Sequence, residues 1–167
     1  MSEIKIYTPE LLPRDGEIYA WLLSIVAALG LFFLSLRAGI PYWAWFLFII
    51  FLFSAFSMTL GNWMDRKTHL EISPEGLRYE NGLRKTSITW ENLQEVRTAP
   101  ARWGTSVQVI GTNGHFSYST LGEMQFQGQI RGKTGFIAGE EILDVIIPNS
   151  LLKKNVSSGQ FSTYLRH

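Results

Sequence analysis

The chain has 167 residues, a formal net charge of +1 and no cysteine, and 46% of its residues are hydrophobic. The absence of cysteine excludes disulfides, thiolate metal sites and a cysteine nucleophile. The near-neutral charge lacks the basic footprint of a nucleic-acid-binding domain, so nucleic acid is not expected among the partners.

The N-terminal two fifths of the chain predict an arm and a helical hairpin. Residues 1–17 are polar and contain prolines, which is typical of an extended arm. Residues 18–36 and 42–62 carry no charged residue, and helices of these lengths match the thickness of a bilayer core. Because their connection is short, the helices must be antiparallel neighbours. The sequence therefore predicts a transmembrane hairpin over residues 18–64, in preference to a buried hairpin of a soluble protein.

Aromatic and basic residues predict how this hairpin sits in a bilayer. Trp and Tyr favour the headgroup level, and Lys and Arg favour the cytoplasmic flanks. Lys5, Arg14, Arg66 and Lys67 flank the two helices on one side, whereas Arg37 alone lies in the connection, so both termini are expected in the cytoplasm. The predicted interface anchors are Tyr19, Trp21, Tyr42, Trp43, Trp45 and Trp63.

Residues 68–148 predict a small β domain that ends in a helix. Short alternating segments are separated by turn signals at Ser73–Gly76 and Asn81–Gly82, and a further hairpin is predicted around Gly111–Gly114, which together indicate an antiparallel meander. The glycines of residues 121–138 leave the strand order there open, with one strand expected over Met124–Ile130. Residues 139–147 predict a short helix that Pro148 stops, with a buried strand as the alternative. Residues 149–167 are expected to form a polar tail.

Two motifs in this region resemble those of the bacterial pleckstrin-homology-like (PH-like) membrane proteins. They are Leu70-Glu71-Ile72-Ser73-Pro74-Glu75-Gly76-Leu77 and Ile88-Thr89-Trp90-Glu91-Asn92-Leu93-Gln94-Glu95-Val96. The resemblance implies an α+β membrane protein of the bacterial cytoplasmic membrane, in which a two-helix transmembrane hairpin precedes a small antiparallel PH-like β-barrel or sandwich with a short C-terminal helix. It implies no single activity, because such domains bind lipids, bind peptides or serve as structural modules.

A looser likeness concerns the layout alone. Two N-terminal spans, an exit at Asp65-Arg66-Lys67 and a β-rich cytoplasmic domain are similar to the layout of the photosystem I assembly factor with two membrane spans. This likeness favours the function of a helper or accessory subunit.

The sequence predicts no catalytic, metal or cofactor site. Residues 128–134 are one residue short of a phosphate-binding P-loop and precede no convincing helix. His69, His115 and His167 show no metal-ligand spacing, and no nucleophile elbow is present. We therefore expect a protein that is not an enzyme and needs no cofactor.

Candidate binding residues are basic or aromatic. Aromatic residues and Arg are enriched at interaction hot spots, and basic side chains near an anionic leaflet attract lipid headgroups. The expected function is that of an accessory, assembly or scaffolding subunit of another integral membrane protein complex, and the alternative is sensing of anionic headgroups of membrane lipids by Arg84, Lys85 and Arg102. For Arg131 and Lys133, as for all the basic candidates, a solvated charged surface is the simpler interpretation. The candidates for lipid or partner binding are Arg84, Lys85, Arg97, Arg102 and Trp103.

Overall fold

The structure is a computed structural model that describes residues 4–37, 39, 41–126, 128–158 and 161–166. It divides into two compact units, one of Pro13–Trp63 and one that combines Met1–Leu12 with Met64–His167. The first unit holds the long helices α1 (Asp15–Arg37) and most of α2 (Tyr42–Lys67). The strands and the short helix of the second unit are β1 (Lys5–Tyr7), β2 (Pro9–Glu10), β3 (Thr68–Ile72), β4 (Gly76–Asn81), β5 (Lys85–Thr89), β6 (Leu93–Pro100), β7 (Thr105–Gly111), β8 (Gly114–Ser119), β9 (Gly122–Phe126), β10 (Gln129–Phe136), α3 (Gly139–Ser150), β11 (Lys153–Ser158) and β12 (Phe161–Leu165).

Both long helices extend past the predicted bounds. α1 begins three residues earlier than residue 18 because Asp15 and Glu17 favour the positive end of the helix dipole, and α2 continues to Lys67 because Arg66 and Lys67 favour its negative end. By length and composition each helix is able to cross a membrane. Most of their apolar side chains are exposed in the structure, as lipid-facing side chains would be.

The predicted interface aromatics lie on the outside of these helices, with one exception. Tyr42 is 94% exposed, whereas Trp21 is half-buried and packs edge-on against Phe56 with ring centroids 5.2 Å apart. Their position at the headgroup level stays a prediction. The exposed members of the set are Tyr19, Tyr42, Trp43, Trp45 and Trp63.

Hydrogen bonds between polar side chains join α1 to α2. Trp21 Nε1 donates to Thr59 Oγ1 at 2.9 Å, and Thr59 Oγ1 donates in turn to Glu17 Oε1 at 3.0 Å. Asn62 Nδ2 donates to Glu17 Oε2 at 2.7 Å. This chain of contacts fixes the register of the two helices where simple apolar packing would leave it free.

The second unit is built from antiparallel sheets, which fits the expected PH-like architecture. In the described residues the strand orders are β1-β3-β4-β5, β2-β10-β9 and β11-β12-β6-β7-β8. The hairpins predicted at Asn81–Gly82 and around Gly111–Gly114 are confirmed. The inward-facing residues of the strands form one apolar core with α3, whose buried members are Leu70, Ile72, Leu77, Ile88, Leu93, Val96, Val107, Val109, Phe116, Tyr118, Phe136, Ile142, Ile146 and Leu152.

The helix predicted from residue 139 is present, and it passes Pro148 to end at Ser150. Proline lacks the backbone N–H that would bond the Asp144 carbonyl, and side chains donate to the two carbonyls that follow it. Asn149 Nδ2 donates to Val145 O and Ser150 Oγ donates to Ile146 O, both at 2.7 Å. The strand alternative for this segment is wrong, since Ile142 and Ile146 share the buried helix face.

Three segments take part in sheets that local patterns did not predict. Part of the N-terminal arm forms β1 and β2, which pair with β3 and β10. The segment expected as a polar tail forms β11 and β12, and β12 pairs with β6 through Thr163 and Arg97. The single strand expected over Met124–Ile130 is instead divided between the end of β9 and the start of β10, and Gly128 before β10 has a φ of 78°. In each case the partner strand is distant in sequence or the turn depends on one glycine, so alternation alone could not reveal the pairing.

One residue both ends α2 and starts the first sheet. Thr68 Oγ1 donates to Met64 O at 2.8 Å, which satisfies a carbonyl of the last helical turn. Thr68 is also paired with Asn81 of β4. The chain thus passes from helix to strand without a linker.

Thr59→Val tests the hydrogen bonds within the helical hairpin. The substitution removes both hydrogen bonds of the Thr59 hydroxyl, so we expect the free energy of unfolding of the hairpin to fall by about 1 kcal/mol. Denaturation by dodecyl sulfate in mixed micelles, followed by tryptophan fluorescence, measures it. Ser54→Ala is the matched control, because Ser54 Oγ bonds only Ile50 O of its own helix. Equal losses in the two variants would contradict the assignment.

Tyr118→Phe tests the hydrogen bond that joins β8 to the start of α3. Tyr118 Oη donates to Gly139 O at 3.3 Å, and burial, with a smaller contribution from Asp144, raises the pKa of Tyr118 well above its usual 10.0. Because the pKa of Tyr118 is higher in the folded chain than in the unfolded chain, the neutral phenol stabilises the fold fully below pH 10. That contribution is lost as the pH rises above 10, where Tyr118 ionises in the unfolded chain first. The variant should lose about 1 kcal/mol at neutral pH through the missing hydrogen bond. Pulse proteolysis in urea should show a steeper loss of stability above pH 10 for the wild type than for the variant; identical slopes would refute this account.

Candidate functional site

The turn between β4 and β5 is a rigid, exposed hairpin tip, which we call the Leu83 tip (residues 81–84). Asn81 Oδ1 accepts hydrogen bonds from the backbone N–H groups of Leu83 at 3.3 Å and of Arg84 at 2.9 Å. Asn81 N also donates to Arg84 O, and Gly82 supplies the φ of 80° that the turn requires. The Leu83 side chain is 64% exposed at the end of this turn.

Strand register places the Leu83 tip at the end of the sheet where the chain enters from α2. Thr68 pairs with Asn81, and Ile72 at the other end of β3 pairs with Leu77. The Ser73–Gly76 turn therefore lies about 15 Å further along the strands, at about 3.3 Å per residue.

Charges around the Leu83 tip are only partly paired. Glu80 Oε1 lies 2.8 Å from Lys85 Nζ and Glu80 Oε2 lies 3.8 Å from His69 Nε2. The hydrogen bond from Lys85 lowers the pKa of Glu80, so this carboxylate stays ionised beside two basic groups. Arg84 is exposed and forms no ion pair within the part of the chain that the structure describes. Of the two cations predicted here, Arg84 is therefore the one available to a ligand.

A second exposed hairpin tip joins β6 to β7, and we call it the Trp103 tip (residues 101–104). Ala101 N donates to Gly104 O at 3.1 Å, and Gly104 has a φ of 73°. The Arg102 guanidinium carbon lies 4.8 Å from the centre of the Trp103 ring, a cation–π contact that orients both side chains. Trp103 is 38% exposed, so the stacked pair presents a face to solvent.

The backbone at the Trp103 tip is contacted by Thr120, which lies between β8 and β9, and by Gly122, the first residue of β9. Thr105 N donates to Thr120 Oγ1 at 2.9 Å. A Cβ atom at Gly122 would lie 2.5 Å from the carbonyl carbon and 2.6 Å from the Cβ of Trp103. Only glycine permits this approach, which fixes the position of the tip.

The other basic candidates are engaged in pairs. Arg97 lies within β6 and donates from Nε and Nη2 to the two oxygens of Glu95 at 2.7 and 2.9 Å, which raises the pKa of Arg97. Lys133 Nζ lies 3.4 Å from Glu123. The side chain of Arg131 lies outside the described residues. Four of the five predicted candidates thus divide between two tips of different sheets, with Arg84 and Lys85 at one and Arg102 and Trp103 at the other. Arg97 lies at neither tip.

No catalytic constellation is assembled in the described residues. Among them, no group of three or more His, Cys, Asp or Glu side chains is placed to hold a metal ion. A cleft of about 360 Å³ beside the Ser73–Gly76 turn carries Glu71 and Arg78, which lie 3.9 Å apart and pair with each other. His115 is exposed on β8, and His167 lies outside the described residues.

Comparison with protein families identifies the β domain. Residues 67–126 match the family model of the bacterial PH domain, a stretch that runs from the end of α2 through β9 and contains both tips. The resemblance based on the two motifs is confirmed: the chain carries a bacterial PH domain, preceded by two apolar helices that are candidate membrane spans. No significant match was found to a curated protein or to a solved structure.

Sequence reasoning did not single out Leu83 or Gly122. The exposed position of Leu83 could have been predicted, because this apolar residue lies between a turn dipeptide and two cations in Asn81-Gly82-Leu83-Arg84-Lys85. No local pattern indicated the role of Gly122, because the close approach of Trp103 depends on the packing of β9 against a distant hairpin.

Gly122→Ala tests whether packing fixes the Trp103 tip. The added methyl group must displace the backbone at Trp103, so the free energy of unfolding should fall by about 1–3 kcal/mol. Glu123→Ala, a change at the next residue on an exposed position, should stay within about 0.5 kcal/mol of the wild type. Pulse proteolysis in urea compares the two. A wild-type stability for Gly122→Ala would show that the tip moves freely.

Proposed function

We propose that the two helices anchor this PH domain at the cytoplasmic face of a bacterial membrane, where it serves without catalysis as an accessory, assembly or scaffolding subunit of another membrane protein complex. The observation that carries the proposal is the preorganised Arg102–Trp103 pair on the Trp103 tip.

The helices support the anchoring part of the proposal. Both are long and apolar enough to span a bilayer, and most of their side chains are exposed. The polar contacts of Glu17, Thr59 and Asn62 lie near one end of the hairpin, between the first turn of α1 and the last turns of α2. Such a hairpin has the features of an anchor, because its apolar middle carries no charged residue that would mark a transport path.

The Trp103 tip supports the binding part of the proposal. Tryptophan and arginine are the residues most enriched at binding hot spots, and a binding site gains affinity when its side chains are already ordered before the partner arrives. The cation–π contact orders the two side chains, and the approach of Gly122 orders the backbone beneath them. The tip is therefore suited to insert an aromatic ring into a pocket of a partner protein.

The non-enzymatic part rests on the domain class and on the pairing of its charged groups. PH-like domains are generally non-catalytic. Here Glu71, Glu80, Glu95 and Glu123 are each matched by a neighbouring cation on an exposed sheet surface. Carboxylates that are each paired with a neighbouring cation do not converge on a substrate.

The alternative function is sensing of anionic lipid headgroups by Arg84, Lys85 and Arg102. The observation that favours it is the exposed Arg84, which has no ion pair among the described residues. Because Lys85 is engaged with Glu80 and Arg102 belongs to the other tip, a single headgroup pocket made of all three is less favoured than a protein-binding role.

Substitution of Trp103 tests the accessory role. The full chain is purified in mild detergent, and stoichiometric partners are quantified by mass spectrometry. Trp103→Ser should reduce recovery of the partner at least tenfold, since a central tryptophan contributes about 2 kcal/mol or more to such interfaces. Arg102→Gln should reduce it less, because the ring is retained.

Phe161→Ser is the matched control. Phe161 is 56% exposed at the start of β12, so its loss removes a similar area of aromatic surface elsewhere on the domain. A wild-type chain that always purifies without a stoichiometric partner would refute the proposal, as would equal recovery from Trp103→Ser and Phe161→Ser.

A further inference from the structure

We infer that the Leu83 tip enters the headgroup layer of an anionic bilayer, with Leu83 inserted between lipid headgroups and Arg84 bound to their phosphates. The inference rests on the membrane anchoring proposed above and is independent of the partner that the Trp103 tip binds.

The first argument is the position of the tip in the domain. β3 begins at the residue after the last residue of α2, and Thr68 is tied to both elements by its hydrogen bond to Met64 and its pairing with Asn81. Asn81 is the first residue of the Leu83 tip. Since neighbouring strands lie about 5 Å apart, the tip stands one strand spacing from the point where the chain leaves the candidate span.

The second argument is the chemistry of the tip. Leu83 is 64% exposed on an otherwise polar turn, where it contributes nothing to the core of the domain. An apolar side chain next to cations is the combination that lies favourably at the boundary between acyl chains and headgroups. Arg66 and Lys67, both exposed in the last turn of α2, extend the same positive surface along the sequence.

The third argument is that the carboxylate adjoining the tip is paired with a cation. Glu80 is the carboxylate next to Asn81, and it pairs with Lys85 on one side and faces His69 on the other. Repulsion from anionic lipid is thereby reduced, while Arg84 is left unpaired among the described residues. Lys85 neutralises Glu80, and Arg84 binds the lipid phosphates.

The fourth argument is rigidity. Asn81 Oδ1 bonds two successive backbone N–H groups, and the glycine with positive φ closes the turn. A tip ordered in this way loses little conformational freedom when it enters lipid.

A site-specific fluorescent label tests the inference directly. The chain has no cysteine, so Leu83→Cys can be labelled alone with an environment-sensitive dye in the full chain. The protein is reconstituted in nanodiscs of phosphatidylcholine, or of phosphatidylcholine mixed with phosphatidylglycerol. The control is Glu75→Cys, exposed in the turn at the opposite end of the β3–β4 pair.

We expect the label at position 83 to shift its emission to the blue in the mixed nanodiscs and to be quenched by acrylamide about threefold less than the label at position 75. Adding Arg84→Gln should remove most of the difference between the two lipid compositions. Equal quenching at positions 83 and 75 in properly inserted protein overturns the inference and leaves the anchoring intact. A chain that fails to enter nanodiscs overturns both.

A second measurement, the rate of trypsin cleavage, uses the chain with Leu83 unchanged. Trypsin cleavage after Arg84 should be at least about threefold slower in nanodiscs containing phosphatidylglycerol than in phosphatidylcholine alone. Leu83→Ser should restore most of the cleavage. The same rate in both lipids would overturn the inference without reference to any dye.

Discussion

The arrangement of the domain depends on the junction at Thr68, where a helix ends and a sheet begins within one residue. The Thr68 hydroxyl satisfies a carbonyl of the last helical turn, and its backbone pairs with Asn81. The first strand of this pair therefore begins at the residue that follows the last turn of α2. The pairing of Thr68 with Asn81 places the Leu83 tip beside the residue at which β3 begins.

The termini of the chain complete the domain that this junction starts. β1 covers the edge of β3, and β12 covers the edge of β6. Uncovered, those edges would offer free backbone donors and acceptors to other chains. β1 and β11 become the edges of their sheets in turn. β11 carries Lys153 and Lys154 and a register irregularity next to them, both of which discourage further pairing. Side chains on the hairpin tips are thereby left as the exposed features best suited to recognition.

Charge pairing separates structural cations from available ones. Lys85, Arg97 and Lys133 each have a carboxylate on a neighbouring position, whereas Arg84 has none in the described residues and Arg102 stacks on an aromatic ring. Exposed pairs of the first kind contribute little to stability because water screens them, yet they remove the cations from competition for a ligand. The count of basic residues in a sequence therefore overstates the surface that can bind an anion.

The sequence by itself determined what depends on neighbours along the chain: the two apolar helices, the hairpin turn at Asn81–Gly82, the meander of β3, β4 and β5, and the short helix that carries Ile142 and Ile146. The expected continuation of that meander to Val96 is wrong, because β6 pairs with β7 and β12 in another sheet. These follow from hydrophobic periodicity and turn chemistry, which act over a few residues. Tertiary structure decided the pairing of the two termini, the split of the glycine-rich segment into β9 and β10, and the division of the basic candidates between two tips. The reason is physical. Strand pairing, the approach of Gly122 to Trp103 and the partner of each cation depend on contacts between residues far apart in sequence, and no local pattern specifies which of the possible partners packing selects.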